Sequence, residues 1–118
     1  MTIKFYGYDK CSTCRKAQAF LKAKGQLFDA IDITKTPPSR DELNSLLTNL
    51  GGELRRLFNT SGLVYREMKL SEKIGSFSAD EALKLLASNG RLVKRPVLVV
   101  NGKAVAAGFS EKEWSKFI

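Results

Sequence analysis

The chain has 118 residues, 43% of them hydrophobic, which suits one domain with its own core and no need of disulfides or metal as a scaffold. Its 20 Lys and Arg against 12 Asp and Glu give a net charge of +8, but the basic residues are scattered, so a direct nucleic-acid binder is not expected. Histidine is absent, which excludes His-based triads, His metal sites and a His general base, and no apolar run approaches the ~20 residues of a membrane span.

Residues Thr2 to Tyr8 read as a first strand, with Ile3, Phe5 and Gly7 on one face and Lys4 and Tyr6 on the other. This start lacks the long apolar region of a signal peptide, so a cytoplasmic location is expected; separately, a monomer is expected. After the turn at Asp9 and Lys10 the pattern becomes helical from Cys11 or Ser12. Ala17, Phe20, Leu21 and the stem of Lys24 form its stripe, and Gly25 stops it. Gln26 to Ile33 reads as a second strand carrying Phe28, Ile31 and Ile33, completing a βαβ unit.

Pro37 and Pro38 break the chain. Ser39 then stands three residues before Glu42, the spacing of a capping box, and Leu43, Leu46, Leu47 and Leu50 follow as a helical stripe up to Gly51-Gly52. A short helix is expected over Glu53 to Phe58, a turn at Asn59 to Gly62, and another short helix from Tyr65 to Leu70. Ser78 and Glu81 repeat the capping box, opening a helix that turns Ala82, Leu85 and Leu86 inward and stops at Asn89-Gly90.

Val97 to Val100 is a β-branched run behind Pro96, Asn101-Gly102 is a two-residue hairpin signal, and Lys103 to Ala106 returns as the partner strand. Phe109-Ser110 opens a last helix, with Trp114 and Phe117 or Ile118 packing inward. The order β-α-β, helical insert at about 37–90, β-β-α predicts a single α/β domain over 1–118, with a four-stranded mixed sheet.

The residues best suited to chemistry are Cys11 and Cys14, at the junction of the first strand and first helix. A bridge between them would close too small a loop to stabilise a fold much, which favours a reactive pair over a structural one. A helix N-terminus offers unpaired N–H groups and partial positive charge, both favouring a thiolate, and Lys10, Arg15 and Lys16 add positive potential. Cys11 would attack and Cys14 resolve the mixed disulfide or sulfenic acid. The alternative is an inert pair. Two cysteines without His give no metal site in one chain. Arg95 can fork onto an oxyanion or a substrate carboxylate, or be an ordinary surface arginine at a strand end. On sequence alone Pro96 would be trans, since only ~5–6% of X–Pro bonds are cis.

These segments resemble the ArsC/Spx family, which holds arsenate reductases and the Spx- and MgsR-like redox regulators. The resemblance is carried by Phe5-Tyr6-Gly7-Tyr8-Asp9-Lys10-Cys11-Ser12-Thr13-Cys14-Arg15-Lys16-Ala17 and by Pro37-Pro38-Ser39-Arg40-Asp41-Glu42-Leu43. It continues through Leu57 to Gly62, Tyr65-Arg66-Glu67, Lys94-Arg95-Pro96 and Val105 to Phe109, in family order over nearly the whole chain. It implies a thioredoxin-like fold with a cis Pro96. It also implies a thiol–disulfide oxidoreductase with Cys11 as nucleophile and Cys14 resolving. Ser12, Thr13, Arg15, Arg95 and Pro96 would then contact a thiol or oxyanion substrate.

No bound cofactor is implied; the co-substrate would be glutathione with glutaredoxin, or a thioredoxin-type reductant. The family's arsenate reductases hold arsenate with three arginines. Arg95 matches one, whereas Asn59 and Gly108 stand where the other two are expected, so efficient arsenate reduction is not implied. Spx-type regulators share the CxxC and the Arg-Pro, bind the C-terminal domain of the RNA polymerase alpha subunit near a glycine matching Gly51-Gly52, and run on into a further helical segment. That is the competing reading.

Overall fold

The computed structural model describes residues 1–118. Strand β1 (Ile3–Gly7) leads into helix α1 (Ser12–Ala23) and strand β2 (Asp29–Asp32). Then come α2 (Arg40–Asn49), a 3-10 turn at Leu54–Leu57, α3 (Leu63–Glu67), α4 (Leu70–Lys73) and α5 (Ala79–Ser88). The hairpin of β3 (Val97–Val100) and β4 (Lys103–Ala107) and the short α6 (Glu111–Trp114) end the chain. The sheet order is β2-β1-β3-β4, with β1 parallel to β2 and antiparallel to β3, so the sheet is mixed as expected. No helix is long and apolar enough to cross a membrane.

Each boundary has a local cause. Ser39 and Ser78 both accept an N–H from the Glu three residues on, and that Glu side chain accepts the serine's own N–H, so both capping boxes form. Ser110 caps α6 through Glu113 N–H at 3.2 Å. Gly90 permits a close approach: any Cβ there would run into the Ile33 carbonyl.

Side chains of alternate strand residues build two cores. Ile3, Phe5, Leu98 and Ala106 pack with Cys14, Ala17, Leu21 and Trp114 on one face. Tyr6, Val97, Val99 and Ala104 pack on the other with the leucines of α2 and α5. The second core is larger, 19 buried residues against 9.

Lys4 and Tyr6 share the sheet face opposite Ile3 and Phe5, as expected, and four other expectations need correction. Tyr6 is 3% exposed, because the insert covers the face that Lys4 marks as polar. Its hydroxyl donates to Glu42 Oε1 at 2.7 Å, and Lys4 Nζ lies 2.6 Å from Glu42 Oε2. The second strand is shorter than Gln26 to Ile33, and Leu27 lies outside it, 91% exposed. Leu83 joins Leu86 as a deeply buried leucine of α5, whereas Leu85 packs against the core only half-buried. The Tyr65 to Leu70 helix becomes α3 and α4, separated by Lys69 in the left-handed conformation. The Lys24 stem is exposed at the end of α1. At the C-terminus Ile118 packs against the smaller core, whereas Phe117 is 36% exposed.

Burial tends to push the Glu42 carboxyl pKa up. Bonds from Lys4, the Ser39 N–H and Tyr6 outweigh that and hold it below the usual range. Lys4 is correspondingly raised, chiefly by its bond to Glu42. On the outer strand, the Ala104 carbonyl accepts from Asn49 Nδ2 at 2.9 Å and Ser45 Oγ at 3.4 Å, so α2 lies along β4.

Candidate functional site

The chain leaves β1 through a turn closed by the Cys11 N–H, which donates to the Tyr8 carbonyl at 3.0 Å. Cys11 caps α1 with extended backbone, and its Sγ accepts the Cys14 N–H at 3.2 Å. A helix start presents unpaired N–H donors there, and the Cys11 sulfur takes one of them. One turn on, Cys14 is 1% exposed in the smaller core. Burial pushes its thiol pKa up to about 12. The bond to Cys11 and that residue's charge add to the rise, while the Tyr8 backbone and the positive Arg95 oppose it. Both cysteines are free thiols. The outer sulfur therefore meets solvent and the inner one keeps its proton.

Cys11, Ser12 and Thr13 form one wall of a cleft of about 610 Å³. Lys94, Arg95, Ala107, Gly108 and Phe109 form the facing wall, and Lys10, Asn59, Ser61, Ser110 and Glu113 complete the lining. The Arg95 guanidinium lies 5.1 Å from the centroid of the Tyr8 ring, which holds it beside α1. The Arg95–Pro96 peptide is cis, the form the resemblance implies, and the Gly108 N–H donates to the Pro96 carbonyl at 2.8 Å. Gly108 has φ +80, a conformation that favours glycine. Its carbonyl accepts from Trp114 Nε1 at 3.0 Å, and Phe109 packs between Phe20 and Trp114. This wall is thus tied to the core.

Of the residues singled out in the sequence, the fold brings Cys11, Ser12, Thr13 and Arg95 to the cleft. Cys14 lies behind it. Arg15 turns elsewhere, its Nη1 donating to the Asp9 carbonyl at 2.8 Å, and Pro96 is buried behind Arg95. Neither lines the cleft. Arg55 and Arg56 line a neighbouring cavity of about 440 Å³ instead. Asn59 and Gly108 do stand on the cleft wall, with no guanidinium between them. Ser61 and Glu113 are cleft residues that the sequence reading does not single out: Ser61 lies within the Leu57 to Gly62 segment of the resemblance but carries no assigned role, and Glu113 lies in none of its segments. No group of three or more His, Cys, Asp or Glu comes together to hold a metal.

The Cys11 cap and the cis Arg95–Pro96 peptide thus come together on a β2-β1-β3-β4 sheet. The model of the ArsC family matches residues 6–117. This chain belongs to the ArsC family. Among ArsC-related proteins, the uncharacterized protein YusI of Bacillus subtilis is 46% identical over 116 residues, 98% of each chain. The global transcriptional regulator Spx of Streptococcus mutans is 32% identical over 108 residues, 92% of this chain and 77% of that one. Among solved structures, a possible arsenate reductase from Streptococcus mutans superposes with a TM-score of 0.86 at 49% identity, covering 92% of this chain and 91% of the other. The fold is thioredoxin-like, as the resemblance implies.

Proposed function

We propose that this ArsC-family chain is a thiol–disulfide oxidoreductase in which Cys11 attacks and Cys14 resolves. The observation that carries the reading is the contrast between the two sulfurs: Cys11 opens on the cleft, while Cys14 is buried and keeps its proton. The Cys11 thiolate bonds to one sulfur of a substrate disulfide, and the other sulfur leaves with the electron pair. Cys14 then gives up its proton and attacks Cys11 Sγ, which releases the second thiol and leaves a Cys11–Cys14 disulfide. Glutathione with glutaredoxin, or a thioredoxin-type protein, returns two electrons. A reducing cytoplasm keeps such a pair ready.

Arg95 offers its fork to an anionic group in the cleft, and the Ser12 and Thr13 hydroxyls flank Cys11. Arsenate is a poor substrate for this wall. With Asn59 and Gly108 where two arginines are expected, two guanidinium contacts worth roughly 1.5–3 kcal/mol each are missing. The test is turnover of a glutathione mixed disulfide with a supplied reductant. Cys11→Ser should abolish turnover, and Cys14→Ser should stall at a Cys11 adduct visible by mass. Absence of turnover with small disulfides, glutathione adducts and arsenate alike would overturn the reading.

A second reading, an Spx-type regulator contacting the RNA polymerase alpha C-terminal domain, is favoured by one feature. Gly51 and Gly52 form an exposed corner, both at positive φ, in a chain 32% identical to Spx. Such a regulator would co-purify with that domain in a manner that changes when the cysteines oxidise. A pull-down free of polymerase counts against it.

A further inference from the structure

Lys94 occupies a place that its sequence position does not announce. A Cβ built on Gly108 would lie 2.9 Å from Lys94 Cε and 3.9 Å from Nζ, so the lysine stem lies over the bare glycine. Its own backbone is fixed, since the Lys94 N–H donates to the Leu57 carbonyl at 2.8 Å. Lys94 lines the Cys11 cleft, and it also lines the neighbouring cavity that holds Arg55 and Arg56, so it stands on the ridge between the two. The molecule has two ion pairs, Lys4–Glu42 and Arg40–Asp80, and neither involves Lys94, Arg95, Lys10, Arg55 or Arg56. Along this trough five cations face two acids, Glu113 and Glu53.

From this we propose that Lys94 is a specificity-determining residue, and that the cleft selects low-molecular-weight disulfides whose thiol carries a carboxylate. The inference rests on the reading of Cys11 as the attacking sulfur. The Lys94 stem takes the space that a side chain at Gly108 would fill, which brings Nζ to the cleft, and the carboxylate lies against Nζ while a disulfide sulfur faces Cys11. An ammonium is a compact point charge on a flexible stem with no fixed fork to satisfy, so it can follow a carboxylate on a flexible substrate. Arg95, held against Tyr8, supplies the second positive group.

The experiment needs no reductant and no turnover. The reduced protein is mixed with 5,5′-dithiobis(2-nitrobenzoate), which carries two carboxylates, and in parallel with neutral 2,2′-dipyridyl disulfide. In each case the Cys11 thiolate bonds to one sulfur and the other leaves as a coloured aromatic thiolate or thione, whose first release is timed. The readout is the ratio of the two rates, in which the intrinsic nucleophilicity of Cys11 cancels. At ionic strength near 0.15 M, Lys94→Gln should lower the anionic-to-neutral ratio about fivefold, as expected for one partly screened charge contact. Lys94→Arg should keep the ratio within about twofold of the parent. An unchanged ratio in Lys94→Gln overturns the inference while leaving the redox reading intact. An equal fall in Lys22→Gln, on the exposed last turn of α1, overturns it too, because the effect would then be one of total charge. A parent protein whose Cys11 reacts with neither disulfide overturns both readings.

Discussion

The Phe5 face of the sheet and the Tyr6 face are both covered by helices, but their covers differ in kind. On the Phe5 face, α1 and α6 enclose a small aromatic core, and that core includes Cys14 and supports the cleft wall at Gly108 and Phe109. On the Tyr6 face, the insert encloses a larger aliphatic core with a charged network at its edge, Lys4, Tyr6 and Glu42. Chemistry and stability are therefore coupled on one face and separable on the other.

The sharpest way to break this comparison is to truncate one fully buried side chain on each face. Trp114→Ala should cost about 3–5 kcal/mol in urea unfolding and also alter the Cys11 exchange rate of the folded protein, because its indole holds the Gly108 carbonyl. Leu46→Ala should cost about 2–5 kcal/mol and leave that rate per folded molecule unaltered. If Leu46→Ala slowed exchange as much as Trp114→Ala, the two faces would not be separable.

The faces should also respond to opposite ends of the pH scale. The Glu42 pKa is lower in the folded chain than in the unfolded one, so its contribution is present above the ordinary carboxylate pKa of 4.5 and lost as pH falls through the folded value. The Cys14 pKa is raised from 9.0 to about 12, so stability of the reduced protein holds below pH 9 and declines as pH rises towards 12, where the unfolded thiol ionises and the folded one does not. Unfolding followed across pH should show Glu42→Gln flattening the acid arm and Cys14→Ala flattening the alkaline arm. A Cys14→Ala protein with an unchanged alkaline arm would remove that residue from the account. The smallest effect belongs outside both cores: Leu27→Ser, at 91% exposure, should stay within about 0.5 kcal/mol of the parent.

Much of the fold was legible because its boundaries are set locally. The serine–glutamate spacings at Ser39 and Ser78, the stop at Gly25 and the Asn101-Gly102 hairpin act within three or four residues. The rest depends on distant chain. Tyr6 lies on the face opposite Phe5 as its alternation implies, but how deeply it is buried is set by the insert, which makes that face a second interior. Leu83 and Leu85 are both apolar, and which one is buried more deeply depends on how α5 sits against α2.

The candidate site divides in the same way. Cys11 and Cys14 are readable from four residues at a strand–helix junction, and their unequal burial follows from one helical turn. Arg15 is adjacent in sequence yet spends its guanidinium on the Asp9 carbonyl. Lys94, Ser61 and Glu113 come to the cleft from three other parts of the chain. Spacing singles out the two sulfurs; what faces them is set by tertiary packing.

The two side-chain bonds from α2 to the Ala104 carbonyl have a consequence for how molecules of this chain meet one another. An outer strand with free carbonyls can template a strand from a neighbouring copy and so seed a growing ribbon. Here Asn49 and Ser45 occupy one such acceptor on β4, and α2 lies along the strand. At the opposite margin β2 is only four residues long and carries Asp29 and Asp32, whose like charges would oppose a second copy laid alongside in register. The sheet is thus guarded at both margins by different means, a helix at one and brevity with negative charge at the other.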